Sequence, residues 1–236
     1  MDKPTALITI DDSPTKFLKD KVDILHERNI RGLFFSCGNL LEEIPDQAVY
    51  AIKKGHVIAN HAYSHKEFSM MPIEKCREEI SKTDEIIDDI YKQADVERGA
   101  KLFRFPYGDK GISTRMVFNF MKFKPKFRAI QSHLASLGYE GFKVENVNKR
   151  FPELFSLSDI DIYWTFDIKE WPIHRKPTKD IQNIGDVMKR MDTHLTNPKK
   201  SEIILLHDHE ETHKYFEAII DKLISKGFSF DLPNGI

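Results

Sequence analysis

Short runs of apolar residues alternate along this chain with longer stretches in which apolar residues recur at every third or fourth position. The short runs predict strands over 5–10, 32–36, 56–60, 102–105, 160–166, 202–206 and 227–230. The periodic stretches predict helices over 17–29, 45–55, 72–93, 113–123, 130–138, 180–195 and 211–227. Asn29, Gly55, Gly138 and Gly227 follow helical patterns as residues that accept a left-handed stop. Strand-helix alternation of this kind implies a parallel β/α architecture, either a barrel or a doubly wound sheet. In both, functional groups gather at the carboxyl ends of the strands. Asp11 and Asp12, Asn60 and His61, the stretch 104–107, the stretch 167–171 and His207 all fall on that predicted rim.

Composition narrows the picture modestly. The 236 residues suffice for one domain spanning 1–236. The 36 basic and 37 acidic side chains nearly cancel, so charge gives no field to attract nucleic acid. Cys37 and Cys76 lack the spacing of a disulfide framework or a thiolate metal site. The N-terminus lacks a basic segment followed by an apolar one, and apolar runs fall short of a membrane span. As written, the sequence predicts a cytoplasmic protein, and an extracellular or envelope-associated one if it has been shortened. The stretch 107–159 is irregular and rich in aromatic and basic residues, which suits either a packed helix with a long loop or a wall over a substrate.

The candidate chemistry begins with the ITIDDSP segment, where Asp11 and Asp12 end a buried strand. Consecutive strand residues point in different directions, so one carboxylate can bind a metal while its neighbour faces a bound water. The NHAYSH segment supplies His61 and His65, and carboxylate with imidazole is the common ligand set for Zn²⁺ and related ions. Alone, each segment also fits a capping turn or surface histidines. Arg104, in FRFPYG, can orient a carboxylate, and the Pro106-Tyr107-Gly108 turn can present an N–H to an oxyanion. His207 follows a wholly apolar strand and is a candidate general acid. His207, His209 and His213 could instead form a second metal site, although the helix starting near Glu211 should splay them.

The order of these segments resembles the polysaccharide deacetylase family, the NodB-homology domain of carbohydrate esterase family 4. TIDDSP is similar to the family's T-F-D-D-G-P, NHAYSH to its H-x-x-S-H, RFPYG to R-x-P-Y-G, WTFDIKEW to W-x-x-D-x-x-D-W, and LLHDH to L-L-H-D. The resemblance covers residues 5–230. It implies an α/β fold, a distorted (β/α) barrel with seven strands. It further implies Asp11 as general base, Asp12, His61 and His65 as metal ligands, and His207 as general acid. Arg104 would orient the base, and Tyr107 with Pro106, Trp171 and Leu205 would form the oxyanion and substrate wall. Asp167 or Glu170 would support His207, since Glu170 stands where the family usually has Asp. Ser13 replaces a Gly, Ile10 replaces a Phe, and the segment 139–160 is longer than the family pattern, which suggests an insertion.

These implications predict a metal-dependent hydrolase, using Zn with Co or Mn as alternatives, that removes N-acetyl groups from a poly- or oligosaccharide. Two other readings stay open: hydrolysis of another C–N bond in a small or cyclic amide, and a catalytically silent carbohydrate-binding domain. The sequence assigns neither the substrate nor an oligomeric state.

Overall fold

The computed structural model describes residues 3–111, 120–141, 144, 147, 160–173, 177–196, 198–233 and 236, with 120–124 described for the backbone alone. Five of the apolar runs pair as parallel strands: β1 (Ala6–Ser13), β2 (Gly32–Ser36), β3 (Val57–Asn60), β4 (Phe166–Asp167) and β5 (Glu202–His207). Their order is β3-β2-β1-β5-β4. Seven strands were expected; the runs at 102–105 and 227–230 reduce to single parallel bridges, Asn60 with Phe103 and Thr5 with Ser229. Pro106, which has no N–H, stops the first of them from extending the ladder.

The run 160–166 explains how the sheet closes. Ile162 N–H donates to the Phe103 carbonyl (2.9 Å), while Thr165 N–H donates to Ile203 (2.9 Å) and Ile168 N–H to Leu205 (3.1 Å). One continuous segment thus joins the β3 edge to the β5 edge, giving an irregularly closed barrel.

Alternation along the strands then separates two cores. Ile8, Ile10, Phe34, Ile58, Ile204 and Leu206 face the surrounding helices, whereas Leu33, Phe35, Val57 and Ala59 join Leu102 and Ile162 in an inner cluster. Thr9 and Asp11, one step out of phase with the helix-facing residues of β1, receive the buried Arg104.

The outer layer contains α1 (Leu18–Glu27), α2 (Gly38–Glu43), α3 (Pro45–Lys53), α4 (Ile73–Ala94), α5 (Phe120–Ser136), α6 (Ile184–His194) and α7 (Phe216–Ser225). On α4, Cys76, Ile80, Thr83, Ile87, Ile90, Tyr91 and Ala94 form the buried stripe that its periodicity predicts. The sequence pattern missed α2, which at six residues is too short to display a helical period. Two separate helices were expected, over 113–123 and 130–138, where α5 runs on through Pro125 inside the helix. The stretch 112–119 and most of the expected insertion at 139–160 lie outside the described residues. Among the described residues no helix is long and apolar enough to cross a membrane.

Candidate active site

Strict alternation would send the side chains of Asp11 and Asp12 to opposite faces of β1. The ladder to β2 instead shifts register between Ile10 and Ser13, and Asp12 adopts a left-handed backbone (φ 62°). This bulge turns both carboxylates toward His61: its Nε2 lies 3.6 Å from Asp11 Oδ2 and 3.6 Å from Asp12 Oδ1.

His61 follows the last residue of β3, and its Nδ1 sits 2.8 Å from the Arg104 carbonyl oxygen. That oxygen only accepts, so Nδ1 carries the proton and Nε2, with its lone pair free for a cation, faces the same space as the carboxylates. Burial, reinforced by the charge of His65 and opposed by Asp11 and Asp12, pushes the His61 pKa down, which favours the neutral, ligating imidazole.

His65 arrives through a tight loop in which Ala62 (φ 62°) and His65 itself (φ 50°) are left-handed. Buried Glu79 on α4 secures that loop by accepting from Tyr63 N (3.1 Å), Ser64 N (2.7 Å) and Ser64 Oγ (2.8 Å). From the other side, Gly38 N–H at the start of α2 donates to the Ala62 carbonyl (3.0 Å). A Cβ at Gly38 would come within 2.5 Å of Thr83 Oγ1 and 2.6 Å of the Tyr63 ring, so only glycine permits this approach.

His65 Nε2 is 3.0 Å from Asp12 Oδ1, and one ligand atom from each of Asp12, His61 and His65 falls within 4.8 Å of the others. Asp12 Oδ1 is buried and makes no hydrogen bond, although it faces two imidazole nitrogens. A buried acceptor left open beside two imidazole nitrogens fits a divalent cation. Burial would raise the Asp12 pKa, but hydrogen bonding to His209 and the proximity of His65 and His207 hold it well below the usual carboxylate range. The group is therefore ionised, as a ligand must be.

Two supporting pairs stand behind the pocket. Arg104 Nη1 donates to Asp11 Oδ1 (2.6 Å) and to Thr9 Oγ1 (2.9 Å), while its Nε donates to the Ile162 carbonyl (2.6 Å). On the other wall, Glu170 Oε1 lies 3.1 Å from His207 Nδ1 and accepts from His207 N (2.5 Å). Between the two carboxylates weighed as partners of His207, Glu170 makes the contact; Asp167 Oδ1 instead accepts from Lys169 N (2.8 Å). Burial would lower the His207 pKa, yet the charge and hydrogen bond of Glu170, followed by Asp12 and Asp11, hold it up at about 9. Burial raises the Asp167 pKa, and His207 only partly opposes it.

A pocket of about 240 Å³ opens over these groups, walled by Tyr107, Trp164, Asp167, Trp171, Leu205 and His207. The Tyr107 ring lies 4.5 Å from that of His65 and projects into solvent. Pro106 is buried in the turn that presents Tyr107 and does not line the pocket. His209 is the participant that the sequence reading set aside. Its Nε2 lies 2.9 Å from Asp12 Oδ2, whereas His213 stacks on Phe17 at 4.4 Å, so the three C-terminal histidines do not assemble. The HDH spacing after a strand was the only signal that could have found it.

Barrel, rim and pocket together define an enzyme fold of the carbohydrate esterase type. The chain belongs to the polysaccharide deacetylase family, whose model matches residues 1–125. It is similar to a peptidoglycan-N-acetylglucosamine deacetylase of Bacillus cereus, with 32% identity over 108 residues covering 45% of this chain and 38% of that relative. The alignment therefore spans well under half of the relative's length. In fold it matches a family 4 carbohydrate esterase from Streptomyces lividans solved with acetate, with TM-score 0.66, 18% identity, and coverage of 98% and 95% of the two chains. It also matches a CE4 family pseudoenzyme from Bacillus anthracis, with TM-score 0.66, 15% identity, and coverage of 97% and 63%. Because a pseudoenzyme shares the fold, activity has to be argued from the side chains.

Proposed function

We propose that this chain is a metal-dependent N-deacetylase acting on an amino-sugar-containing poly- or oligosaccharide. The observation that carries this reading is the pairing of Asp11 with His207 across adjacent parallel strands, beside the Asp12, His61 and His65 cluster. A base candidate and an acid candidate thus line one pocket together with three convergent ligand atoms.

Asp12, His61 and His65 would hold the ion, and two imidazoles with a carboxylate suit Zn²⁺, with Co²⁺ and Mn²⁺ as alternatives. Once bound, such an ion supplies Lewis acidity toward a water and toward the acetyl carbonyl. Asp11, fixed by Arg104, takes the proton of the attacking water. The backbone N–H of Tyr107 serves the oxyanion that forms as the carbonyl carbon becomes tetrahedral. His207, kept protonated by Glu170, gives its proton to the departing amine nitrogen as the C–N bond breaks. Acetate and a free amino sugar leave. Trp171, Trp164 and Leu205 offer apolar faces on which a sugar ring can lie.

The test is acetate release from a panel of chito-oligosaccharides and peptidoglycan fragments, with Zn²⁺, Co²⁺ and Mn²⁺ restored after chelation. Asp11→Asn should keep its metal and lose roughly a thousandfold or more in rate, because a proton acceptor is gone from the transition state. Full activity in metal-loaded Asp11→Asn would refute the assignment. Metal binding by the wild-type chain without acetate release from any sugar would favour a silent binding domain instead.

A further inference from the structure

Asp12 divides its two oxygens between different neighbours. Oδ1 faces His65 at 3.0 Å and His61 at 3.6 Å, while Oδ2 lies 2.9 Å from His209 Nε2. A carboxylate oxygen can only accept, so His209 Nε2 carries a proton and is unavailable as a ligand atom. The imidazole is buried and lies beside His207, with ring centroids 5.3 Å apart and planes 24° from parallel.

The backbone that delivers His209 is unusually well anchored. Asp208, immediately before it, accepts from Lys21 Nζ (2.6 Å), from Thr15 N (2.6 Å) and from Thr15 Oγ1 (3.0 Å). Asp208 N–H donates to the Asp11 carbonyl (2.8 Å), and Lys21 and Asp208 are both buried. The buried ion pair thus ties the segment carrying His209 to α1, and the Asp208 N–H ties it to the strand end that carries Asp12.

We propose that His209 is a positioning residue that holds Asp12 in one-oxygen ligation. By engaging Oδ2, it fixes the rotation of the carboxylate so that Oδ1 alone is presented between His61 and His65. Two consequences follow. The ligand is pre-oriented, so affinity for the ion rises, as it does when an outer partner orients a ligand. The second oxygen is also held away from the coordination positions that water and the acetyl group need. Every acceptor and donor in this argument belongs to the chain. The inference rests on the metal-site reading of Asp12, His61 and His65.

The experiment compares His209→Leu, which has no donor, and His209→Gln, which keeps an N–H, with the full-length wild-type chain. Zn²⁺ affinity is measured by competition with a chromophoric chelator, and the coordination number by visible absorption of the Co²⁺ form. Thermal unfolding of the metal-stripped proteins controls for folding. His209→Leu should bind Zn²⁺ about 10–100-fold more weakly, with Co²⁺ absorption weakened as the freed oxygen adds a ligand. His209→Gln should recover most of both. Where the leucine variant does not fold, His209→Ser, too short to reach Asp12, replaces it. Equal affinity and spectra in wild type and His209→Leu would overturn the positioning role alone. A wild type that binds Zn²⁺ no better than Asp12→Ala would overturn the metal site and this proposal with it.

Discussion

Replacing Glu170 with glutamine should return His207 to an ordinary or lower pKa. His207 is held at about 9 against a usual 6.5. That elevation corresponds to roughly 3 kcal/mol of preference for the imidazolium, at about 1.4 kcal/mol per pH unit. Glu170 Oε1 is 3.1 Å from His207 Nδ1, and two unit charges so placed attract by about 5 kcal/mol at an effective dielectric of about 20. The gross attraction exceeds the net elevation because burial opposes the charged ring. With Glu170→Gln the opposition remains and the weaker charges of Asp12, Asp11 and Asp167 are left to counter it, so the His207 pKa should fall back to the ordinary imidazole range or below. Ring resonances of His207 in the metal-stripped chain measure this directly. In the metal-loaded enzyme the alkaline limb of the rate profile should move toward lower pH by a comparable interval. The sign for stability follows: a raised imidazole pKa adds stability below pH 6.5 and loses it as pH climbs through about 9. Urea midpoints of the wild type should therefore fall over that interval, and those of Glu170→Gln should not. A variant whose His207 still titrates near 9 would show that Asp12, Asp11 or Asp167 carries the elevation, and would sink the assignment of Glu170.

Two further substitutions test the scaffold behind the site. Lys21→Met leaves buried Asp208 without its 2.6 Å partner, and should cost about 3–5 kcal/mol in urea denaturation; the double variant Lys21→Met, Asp208→Asn should recover part of that loss, and a single variant as stable as wild type would refute the account. Glu79→Ala removes the acceptor for three donors of the loop from Tyr63 to Ser64, and should weaken Zn²⁺ binding about 10–100-fold by releasing His65; unchanged affinity would mean that Gly38 and the loop's own conformation suffice.

The rim was legible in the sequence because parallel strands in register end at one level. Asp11 pairs with His207, and Ser36 with Asn60, so a polar residue that ends one apolar run meets its counterpart ending the next. Strand-helix periodicity was enough to establish that. It was not enough to aim the side chains, because five of the seven non-glycine residues with positive φ among the described residues lie in rim segments: Asp12, Ala62, His65, Tyr107 and Lys169. Asp12 reverses the direction that alternation would assign within β1, and the other four turn the backbone just beyond the strands or in the 106–108 turn, where alternation assigns no direction. The bulge at Asp12 brings two neighbouring carboxylates to one imidazole, and the left-handed Lys169 carries the chain back so that Glu170 reaches His207 while Asp167 bonds the backbone of Lys169. Left-handed conformations in residues with side chains cost about 1–3 kcal/mol each and persist only where surrounding contacts impose them. Here those contacts come from far along the chain, from Glu79 and Gly38 for the histidine loop and from the Lys21 and Asp208 pair for the segment after β5. A residue such as His209 therefore acquires its partner only when the barrel closes: the HDH spacing after a strand can nominate it, but no local pattern names Asp12 as what it holds.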